Sequence, residues 1–417
     1  MVITKKRFNV LNRSVCFNRS AVMPKPLLEK SFPSIFSLAL DVSGRCNMRC
    51  TYCAESATMP ERNCMEMTMV NAAVDALFAW SKVGSGVSLH FGSGEPMLHP
   101  DAVFGAGDQA KKLAELKKRS LSLYLTTNGT LLEGEEMKRL AEEGWNVKVS
   151  LDGGGAVHDK YRVDQEGKGT FSRIEGKVRY LSQKMPARLS TTSVLCRGTD
   201  PMKVFYDIAS MGVKKIELVP VAAPKGSQLS LCREDLHAYG RFICEYAKRI
   251  ANGQEVPINI RFQKRLQRAL GFGNSTIACG AGRTFFAVDH SGTIYPCFRF
   301  IGIKGKEMGT LAGIDQSKVR SFARGPGRQI SKRSECNACW AAPLCSGPCF
   351  ACAELLGSGA PAREFCEFIK IESKAALWLI ESMKEGDAER LIGIIEGHVD
   401  TGAADGPKED HNTPVGG

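Results

Sequence analysis

Long apolar runs are scarce in this sequence of 417 residues. No stretch reaches the roughly eighteen uninterrupted apolar residues that a membrane-spanning helix requires, and the N-terminal segment MVITKKRFNVLNRS is basic without an apolar signal core. We therefore expect a cytoplasmic protein that does not bind a membrane. Apolar residues nevertheless account for 43% of the chain, which is enough to bury a full-sized core.

Interspersed aromatic residues are missing from the basic segments. Lys and Arg (56) outnumber Asp and Glu (44), which gives a net charge of +12, and such an excess can serve an acidic partner. The segments KKLAELKKRS and RFQKRLQR, however, lack the aromatic rings on which single-stranded nucleic acids stack. We therefore predict no nucleic-acid partner and interpret this charge as solvated surface.

Cysteine is the residue type present in excess. The chain has 16 cysteines, and a cytoplasmic protein rarely uses them as disulfides because cellular thiols keep them reduced. Clustered cysteines in such a protein indicate a metal centre. Zinc and iron-sulfur clusters both take four thiolate ligands, so the spacing has to distinguish them.

Short apolar runs alternate with amphipathic helical patterns between Ser37 and Lys225. This alternation predicts an α/β fold with a parallel sheet and outer helices. Six units favour a partial (β/α)6 TIM-like barrel, whose functional loops lie at the carboxyl ends of the strands. The predicted strands are SLALDV, VSLHF, LSLYLTT, VKVSLDG, LSTTSVL and KIELVPV.

The rest of the chain divides by composition. Within the cysteine-rich part, TFFAVDHSGTIYP predicts two strands joined by a turn, and EFIKIESKAALWLIESMKE predicts a helix that follows the last cysteine. The Gly- and Pro-rich end has no apolar pattern and is predicted to be disordered. The expected divisions are an N-terminal extension (1–35), the barrel (36–225), a helical bridge (226–278), a cysteine-rich domain (279–390) and the tail (391–417).

The segment CNMRCTYC follows the first predicted strand and places Cys46, Cys50 and Cys53 in a CxxxCxxC spacing. Three thiolates can bind three irons of a 4Fe-4S cluster and leave the fourth iron open. A structural zinc site would need a fourth ligand nearby, and Cys64 is available for it. The zinc alternative therefore stays open at this point.

The triplet resembles the radical S-adenosylmethionine (SAM) superfamily when it is taken together with FGSGEP, TTNG, SLDG and HDKYR in that order, over residues 36–225. The resemblance implies that a 4Fe-4S cluster and SAM bind at the strand ends. In FGSGEP, a serine replaces the first glycine of the family's GGEP segment. The SAM-binding residues implied by the resemblance are Tyr52, Ser93, Gly94, Glu95, Thr127, Asn128, Ser150, Asp152 and Arg162.

A second cysteine set resembles the SPASM extension of peptide-modifying radical SAM enzymes, matched at seven cysteines around Gly292. The resemblance implies two auxiliary 4Fe-4S clusters and hence three clusters in all. The implied ligands are Cys279, Cys297 and Cys349 for the first auxiliary cluster, and Cys336, Cys339, Cys345 and Cys366 for the second.

The first auxiliary set has only three thiolates. Sulfatase-maturing relatives carry a further cysteine where this chain has Phe285. We favour an open iron that a substrate thiol fills, with Cys352 as the alternative fourth ligand. The other cysteines are expected to be ordinary structural residues: Cys16, Cys64, Cys196, Cys232 and Cys244.

The segments IYPCFRFIGIKGKEMGTL and CWAAPLCSGPC resemble maturases of the thioether, sactipeptide and ranthipeptide type. We therefore expect a 5'-deoxyadenosyl radical to remove hydrogen from a ribosomally made precursor peptide, which then forms a thioether or carbon-carbon crosslink. Sulfatase maturation, the main rival, uses a carboxylate where this chain has Phe298. A small-molecule radical SAM enzyme and a non-catalytic electron-transfer or zinc-binding protein are the remaining alternatives.

The expected partners follow from this chemistry. They are the precursor peptide and an electron donor such as flavodoxin or ferredoxin. The segment before Phe36 is too short for the winged-helix domain with which many such maturases bind the leader peptide, so a separate leader-binding protein is a further candidate. The resemblance does not identify a catalytic side chain.

Overall fold

The six predicted strands form the centre of one parallel sheet. They are β1 (Ser37–Leu40), β2 (Val87–Phe91), β3 (Leu121–Thr127), β4 (Asn146–Ser150), β5 (Leu189–Leu195) and β6 (Lys215–Pro220). Each pairs in parallel with the next, in chain order. Alternate residues of β5 are buried and half-buried, because one face packs under helices and the other faces the barrel interior. The predicted α/β partial barrel is confirmed.

The computed structural model describes residues 35–53, 55, 63–224, 226–272, 279–325, 328, 330, 333–345, 347, 349–355, 363–384 and 387–396. The predictions made for Cys16, for the N-terminal extension before residue 35 and for residues 397–417 of the tail lie outside these residues. The start of the predicted tail is wrong, because residues 391–396 belong to a helix, Ala388–Glu396, whose apolar face gives it the helical period. No helix in the described ranges is long and apolar enough to cross a membrane.

Helices connect the strands as the amphipathic patterns predict. The helix before β6 shows why: Asp200 caps its first turn by accepting from the Met202 amide at 2.9 Å, Pro201 occupies the first helical position, and Val204 and Phe205 are buried. The connecting helices are α1 (Met67–Trp80), α2 (Pro100–Leu116), α3 (Gly134–Glu142), α4 (Gly155–Tyr161), α5 (Phe171–Lys184) and α6 (Pro201–Ala209).

The remainder of the described chain is built from short elements and two long helices. Two single-turn 3-10 helices span Pro96–Leu98 and Phe298–Phe300. The elements are α7 (Arg233–Ala251), β7 (Ile258–Asn259), α8 (Ile260–Ala269), β8 (Phe285–Val288), β9 (Ile294–Tyr295), β10 (Gly309–Thr310), β11 (Gly313–Ile314), α9 (Gln316–Arg324), α10 (Ser334–Asn337), α11 (Ala342–Cys345), α12 (Phe350–Leu355), α13 (Arg363–Ser382) and α14 (Ala388–Glu396).

The predicted hairpin TFFAVDHSGTIYP is present and extends the barrel sheet. Strand β8 pairs in parallel with β1, with Leu38 opposite Phe286, and β9 pairs antiparallel with β8. The Asp289 carboxylate closes the hairpin turn by accepting from the Ser291 and Thr293 amides at 2.9 and 3.0 Å. The full strand order is β7-β6-β5-β4-β3-β2-β1-β8-β9, so the cysteine-rich region begins inside the sheet of the barrel.

Helix α13 starts earlier than the sequence predicts, at Arg363 rather than after Cys366, so Cys366 lies in its first turn. The helix packs against α7 and α8. Phe368 stacks on Tyr239 with ring centroids 3.5 Å apart, and the fully buried Glu372 accepts hydrogen bonds from the Tyr239 hydroxyl (2.9 Å) and Arg261 Nε (2.7 Å). This buried network holds α13 against α7 and α8.

We expect Glu372→Ala to destabilise the protein by about 3 to 5 kcal/mol, because it leaves the buried Arg261 and Arg265 guanidinium groups without their carboxylate. Denaturant midpoints of anaerobically purified protein measure the change. Glu381→Ala, at an exposed position of the same helix, is the matched control. Equal midpoints for the two variants would contradict the anchoring role of Glu372.

Candidate active site and cysteine clusters

The first cysteine triplet lies in the loop that leaves the carboxyl end of β1. The loop is tied to the region after α4 by hydrogen bonds from the Arg49 amide to the Val163 carbonyl (2.9 Å) and from the Thr51 amide to the Tyr161 carbonyl (3.0 Å). Burial, with the nearby charges of Glu95, Cys50 and Cys53, raises the pKa of Cys46 to about 12. The three thiols therefore lie near one another at the end of the barrel where the loops were predicted to act.

Two side chains predicted to bind SAM contact the sulfur atoms of this triplet. Asn128 Nδ2 donates to Cys46 Sγ at 3.8 Å, and an Arg162 terminal nitrogen donates to Cys50 Sγ at 3.9 Å. Hydrogen bonds of this kind to cluster sulfurs help to set the reduction potential of an iron-sulfur cluster. In this structure, Asn128 and Arg162 are thus neighbours of the cysteines themselves.

Glu95 fixes the ends of β2 and β3. Its carboxylate is fully buried and accepts from the Thr127 hydroxyl (2.6 Å), the Asn128 amide (2.6 Å) and the Met97 amide (3.1 Å), while burial raises its pKa. The hydrogen bonds compensate the cost of burying the carboxylate. Glu95 therefore positions Thr127 and Asn128 beside the triplet.

The GSGE segment also contacts a residue that the sequence analysis did not select. Glu55 accepts from the Ser93 hydroxyl at 2.9 Å and from the Gly94 amide at 3.3 Å. Gly94 has a φ of +58°, and a Cβ there would collide with the Arg45 carbonyl, so this position requires glycine. The only available signal for Glu55 was a carboxylate two residues after Cys53.

Asp152 organises the opposite side of the site. It is 1% exposed and accepts from Arg162 Nε at 3.1 Å, from the Tyr52 hydroxyl, and from the Val194 amide at 2.9 Å. The Arg162 guanidinium lies 5.6 Å from the centre of the Tyr52 ring, and burial raises the pKa of Tyr52 well above its usual value. This network joins the first cysteine loop to the ends of β4 and β5, where Ser150 is the last residue of β4.

The first auxiliary set gathers beside the hairpin of β8 and β9. Burial, together with the charges of Cys349 and Cys279, raises the pKa of Cys297 to about 12. Cys349 precedes α12, and a hydrogen bond from the Cys352 thiol lowers its pKa to about 5, with the Cys352 and Ala351 amides contributing. The structure thus brings Cys279, Cys297, Cys349 and Cys352 together.

The second auxiliary set gathers between α10, α11 and α13. Burial and the nearby charges of Cys345, Cys336 and Cys339 raise the pKa of Cys366 to about 11. The Gly347 amide donates to Cys345 Sγ at 3.3 Å. The four cysteines predicted for the second auxiliary cluster therefore lie in one group.

Arginines border both auxiliary sets, and two of them, Arg265 and Arg328, are buried. Arg328 is 4% exposed, donates to the Cys279 side chain, and its Nε has no hydrogen-bond partner among the described residues. Arg265 and Arg268 bond the Cys345 carbonyl at 3.3 and 2.6 Å. Buried cations need anionic partners.

The donor sets fit iron-sulfur clusters, because their ligands are thiolates and the buried arginines compensate a net negative charge. In the described part of the chain, no three Cys, His, Asp or Glu side chains are close enough to share a single metal ion.

Comparison with known proteins agrees with this geometry. Residues 40–203 match the sequence model of the Radical SAM superfamily. The chain carries a radical SAM domain. The cysteine-type anaerobic sulfatase-maturating enzyme of Clostridium perfringens is 26% identical over 347 residues, which cover 77% of this chain and 90% of that enzyme. The serine-type enzyme of Klebsiella aerogenes is 24% identical over 328 residues, covering 73% of this chain and 76% of that enzyme.

Solved structures show the same fold as this chain. The structure of anSMEcpe with bound AdoMet superposes with a TM-score of 0.70 at 22% identity, covering 88% of this chain and 99% of the other. Streptococcus suis SuiB bound to its precursor peptide SuiA superposes with a TM-score of 0.54 at 15% identity, covering 77% and 73%. The radical SAM partial barrel is therefore established, and the many C-terminal cysteines are consistent with a SPASM-like extension.

Proposed function

We propose that this chain is a maturase that removes a hydrogen atom from a ribosomally made precursor peptide and forms a thioether or carbon-carbon crosslink. The observation that carries the proposal is the pairing of β8 with β1. It places Cys279 and Cys297 at the two ends of a hairpin that belongs to the radical SAM sheet. A crosslink formed after hydrogen removal leaves one electron to be removed, and an acceptor beside the site meets that need.

Cysteines are the proposed cluster ligands, and buried carboxylates position the side chains around them. We propose that Cys46, Cys50 and Cys53 hold one 4Fe-4S cluster and that the two auxiliary sets hold two more. When bound, the first cluster and SAM supply the 5'-deoxyadenosyl radical. Glu95 and Asp152 hold the donors that face the triplet, and Glu55 holds the GSGE loop. A small electron carrier such as flavodoxin or ferredoxin is the proposed donor.

An aromatic surface on the inner face of the barrel supports a peptide substrate with apolar or aromatic side chains. His90 stacks on Tyr124 with ring centroids 4.6 Å apart, and Phe285 meets His90 at 5.3 Å and Phe298 at 5.6 Å. Phe298 also lies against Gly92, at the start of the GSGE loop. Burial lowers the pKa of His90 to about 4, so its ring is neutral at physiological pH.

The position of Phe298 favours crosslinking over sulfatase maturation. In the sulfatase-maturing relatives, the resemblance places a carboxylate base immediately after the second cysteine of the extension. Here that position carries a phenyl ring packed on Phe285, which cannot accept a proton. The names of the curated relatives nevertheless favour a second candidate, the oxidation of a cysteine or serine in a protein substrate.

Mass spectrometry separates the two candidates. The full chain is coexpressed with candidate short cysteine-rich peptides taken from open reading frames that neighbour its gene, and each isolated peptide is weighed and alkylated. A loss of two hydrogen atoms, with one cysteine resistant to alkylation, is expected for a thioether. Conversion of a sulfatase-derived cysteine peptide to an aldehyde, with the cysteine-rich peptide unchanged, would overturn the crosslinking proposal and favour the second candidate.

A further inference from the structure

Cys349 and Cys352 lie at one end of a short helix. The Ala353 amide donates to the Cys349 carbonyl at 3.2 Å, so Cys349 caps α12 and Cys352 occupies its third position. Residues three apart on a helix share one face. Both thiols therefore point to the same side of α12, and they are joined by a hydrogen bond between their side chains.

Helix α12 packs against the hairpin that carries Cys297. Ala351 belongs to a buried cluster with Ala39 of β1 and Ala287 of β8, and Cys297 packs against that cluster. Cys352 itself is only 8% exposed. Its thiol is thus held in the protein interior beside the cysteines of the first auxiliary set.

The position where sulfatase-maturing relatives carry their further cysteine is closed to a ligand here. Phe285 is the first residue of β8, and its ring packs edge-on against His90 and Phe298. An aromatic ring offers no thiolate. A fourth protein ligand therefore has to come from elsewhere in the chain.

Two arginines border the four cysteines. Arg299 is half-buried, follows Cys297 by two residues, and lies near Cys349 and Cys352. Arg328 contacts the rings of Phe322 and Phe350 at 4.4 Å each, and it donates to the Cys279 side chain. Two neighbouring cations, one of them buried, suit a cluster with four thiolates, which carries more negative charge than one with three.

We propose that Cys352 is the fourth ligand of the first auxiliary cluster, together with Cys279, Cys297 and Cys349, so that the protein alone completes its coordination. This inference rests on the proposal that these cysteines bind a 4Fe-4S cluster. It reverses the sequence-based preference for an open iron. A peptide thiol then meets no iron at this cluster, which serves only to accept an electron.

The test needs no peptide, so its failure is distinguishable from failure of the proposed function. The full chain carrying Cys46→Ala, Cys50→Ala and Cys53→Ala keeps only the auxiliary clusters, with about eight irons in total. Cys352→Ala is added to this background, and Cys196→Ala, which removes another buried thiol, is the matched control. Iron and sulfide are counted, and the reduced proteins are examined by electron paramagnetic resonance with 13C-labelled cyanide as the probe.

Cyanide is expected to show no 13C coupling in the background protein or the Cys196→Ala control. In the Cys352→Ala variant it should bind the vacated iron and give a 13C coupling, or the cluster should lose iron. Coupling that is already present with Cys352 intact would show an open iron and overturn the proposal. An unchanged iron count and spectrum in Cys352→Ala, without coupling, would overturn it as well.

Discussion

Cys50→Ala is expected to abolish the release of 5'-deoxyadenosine from SAM under reducing conditions. Cys50 is the middle cysteine of the triplet, and its sulfur accepts a hydrogen bond from the Arg162 guanidinium at 3.9 Å. Without it, two thiolates remain, which is too few to bind three irons of a 4Fe-4S cluster. The loss should therefore be complete rather than partial. Chromatography of reaction mixtures after anaerobic reconstitution measures the nucleoside directly.

Cys64→Ala is the matched control for this variant. Cys64 lies between β1 and α1 like the triplet, is exposed, and its thiol donates to the Ser43 carbonyl at 3.3 Å. The variant should keep its iron and its release of 5'-deoxyadenosine. If Cys64→Ala instead lost metal, and the unaltered protein contained zinc and no iron, the first site would be a four-thiolate zinc centre and the radical assignment would fail.

Cys349→Ala is expected to stop product formation while 5'-deoxyadenosine is still released. Cys349 caps α12 in the first auxiliary set, whereas the donors that contact the first triplet come from the loops after β3 and α4. The first triplet and the side chains that contact it are therefore unchanged, so the radical should still form. The substrate, however, loses the acceptor for its remaining electron. The ratio of nucleoside to crosslinked peptide, by chromatography and mass spectrometry, should rise sharply.

Cys244→Ala, at an exposed position of α7, controls for the loss of a cysteine as such and should couple nucleoside to product normally. Full crosslinking by Cys349→Ala would refute the acceptor role of the first auxiliary set. Loss of both nucleoside and product would mean that Cys349 supports the structure of the whole site instead.

The barrel was predictable from the sequence because its information is local. A strand such as β5 alternates buried and half-buried residues along its length. Each helix is likewise predicted by apolar residues that recur every three to four positions within its own segment. The pairing of β8 with β1 joins Leu38 to Phe286, and no local pattern specifies which strand a distant segment will meet. The hairpin was therefore predictable, but its place in the sheet was not.

The candidate site divides in the same way. The cysteine groups could be predicted from their spacing, but the role of Glu55 depends on a contact with Ser93 that exists only after β2 and the first loop come together. The burial of Arg328 beside Cys279 could not be predicted, since a sequence does not show which cations are buried. The sequence predicts the start of α13 too late, because the cysteine spacing assigns Cys366 to the cysteine region, whereas in the structure it lies in the first turn of the helix.

The pairing of β8 with β1 limits how such enzymes can be recombined. A chain cut before β8 would leave the backbone donors and acceptors on one side of β1 unpaired, and an exposed strand edge of this kind promotes aggregation. The cysteine-rich half is thus not a detachable module. A chimaera that exchanges the cysteine-rich half between relatives has to bring a strand whose register fits Ser37 to Leu40. That strand then also fixes the distance between the first cysteine triplet and the cysteines that flank the hairpin.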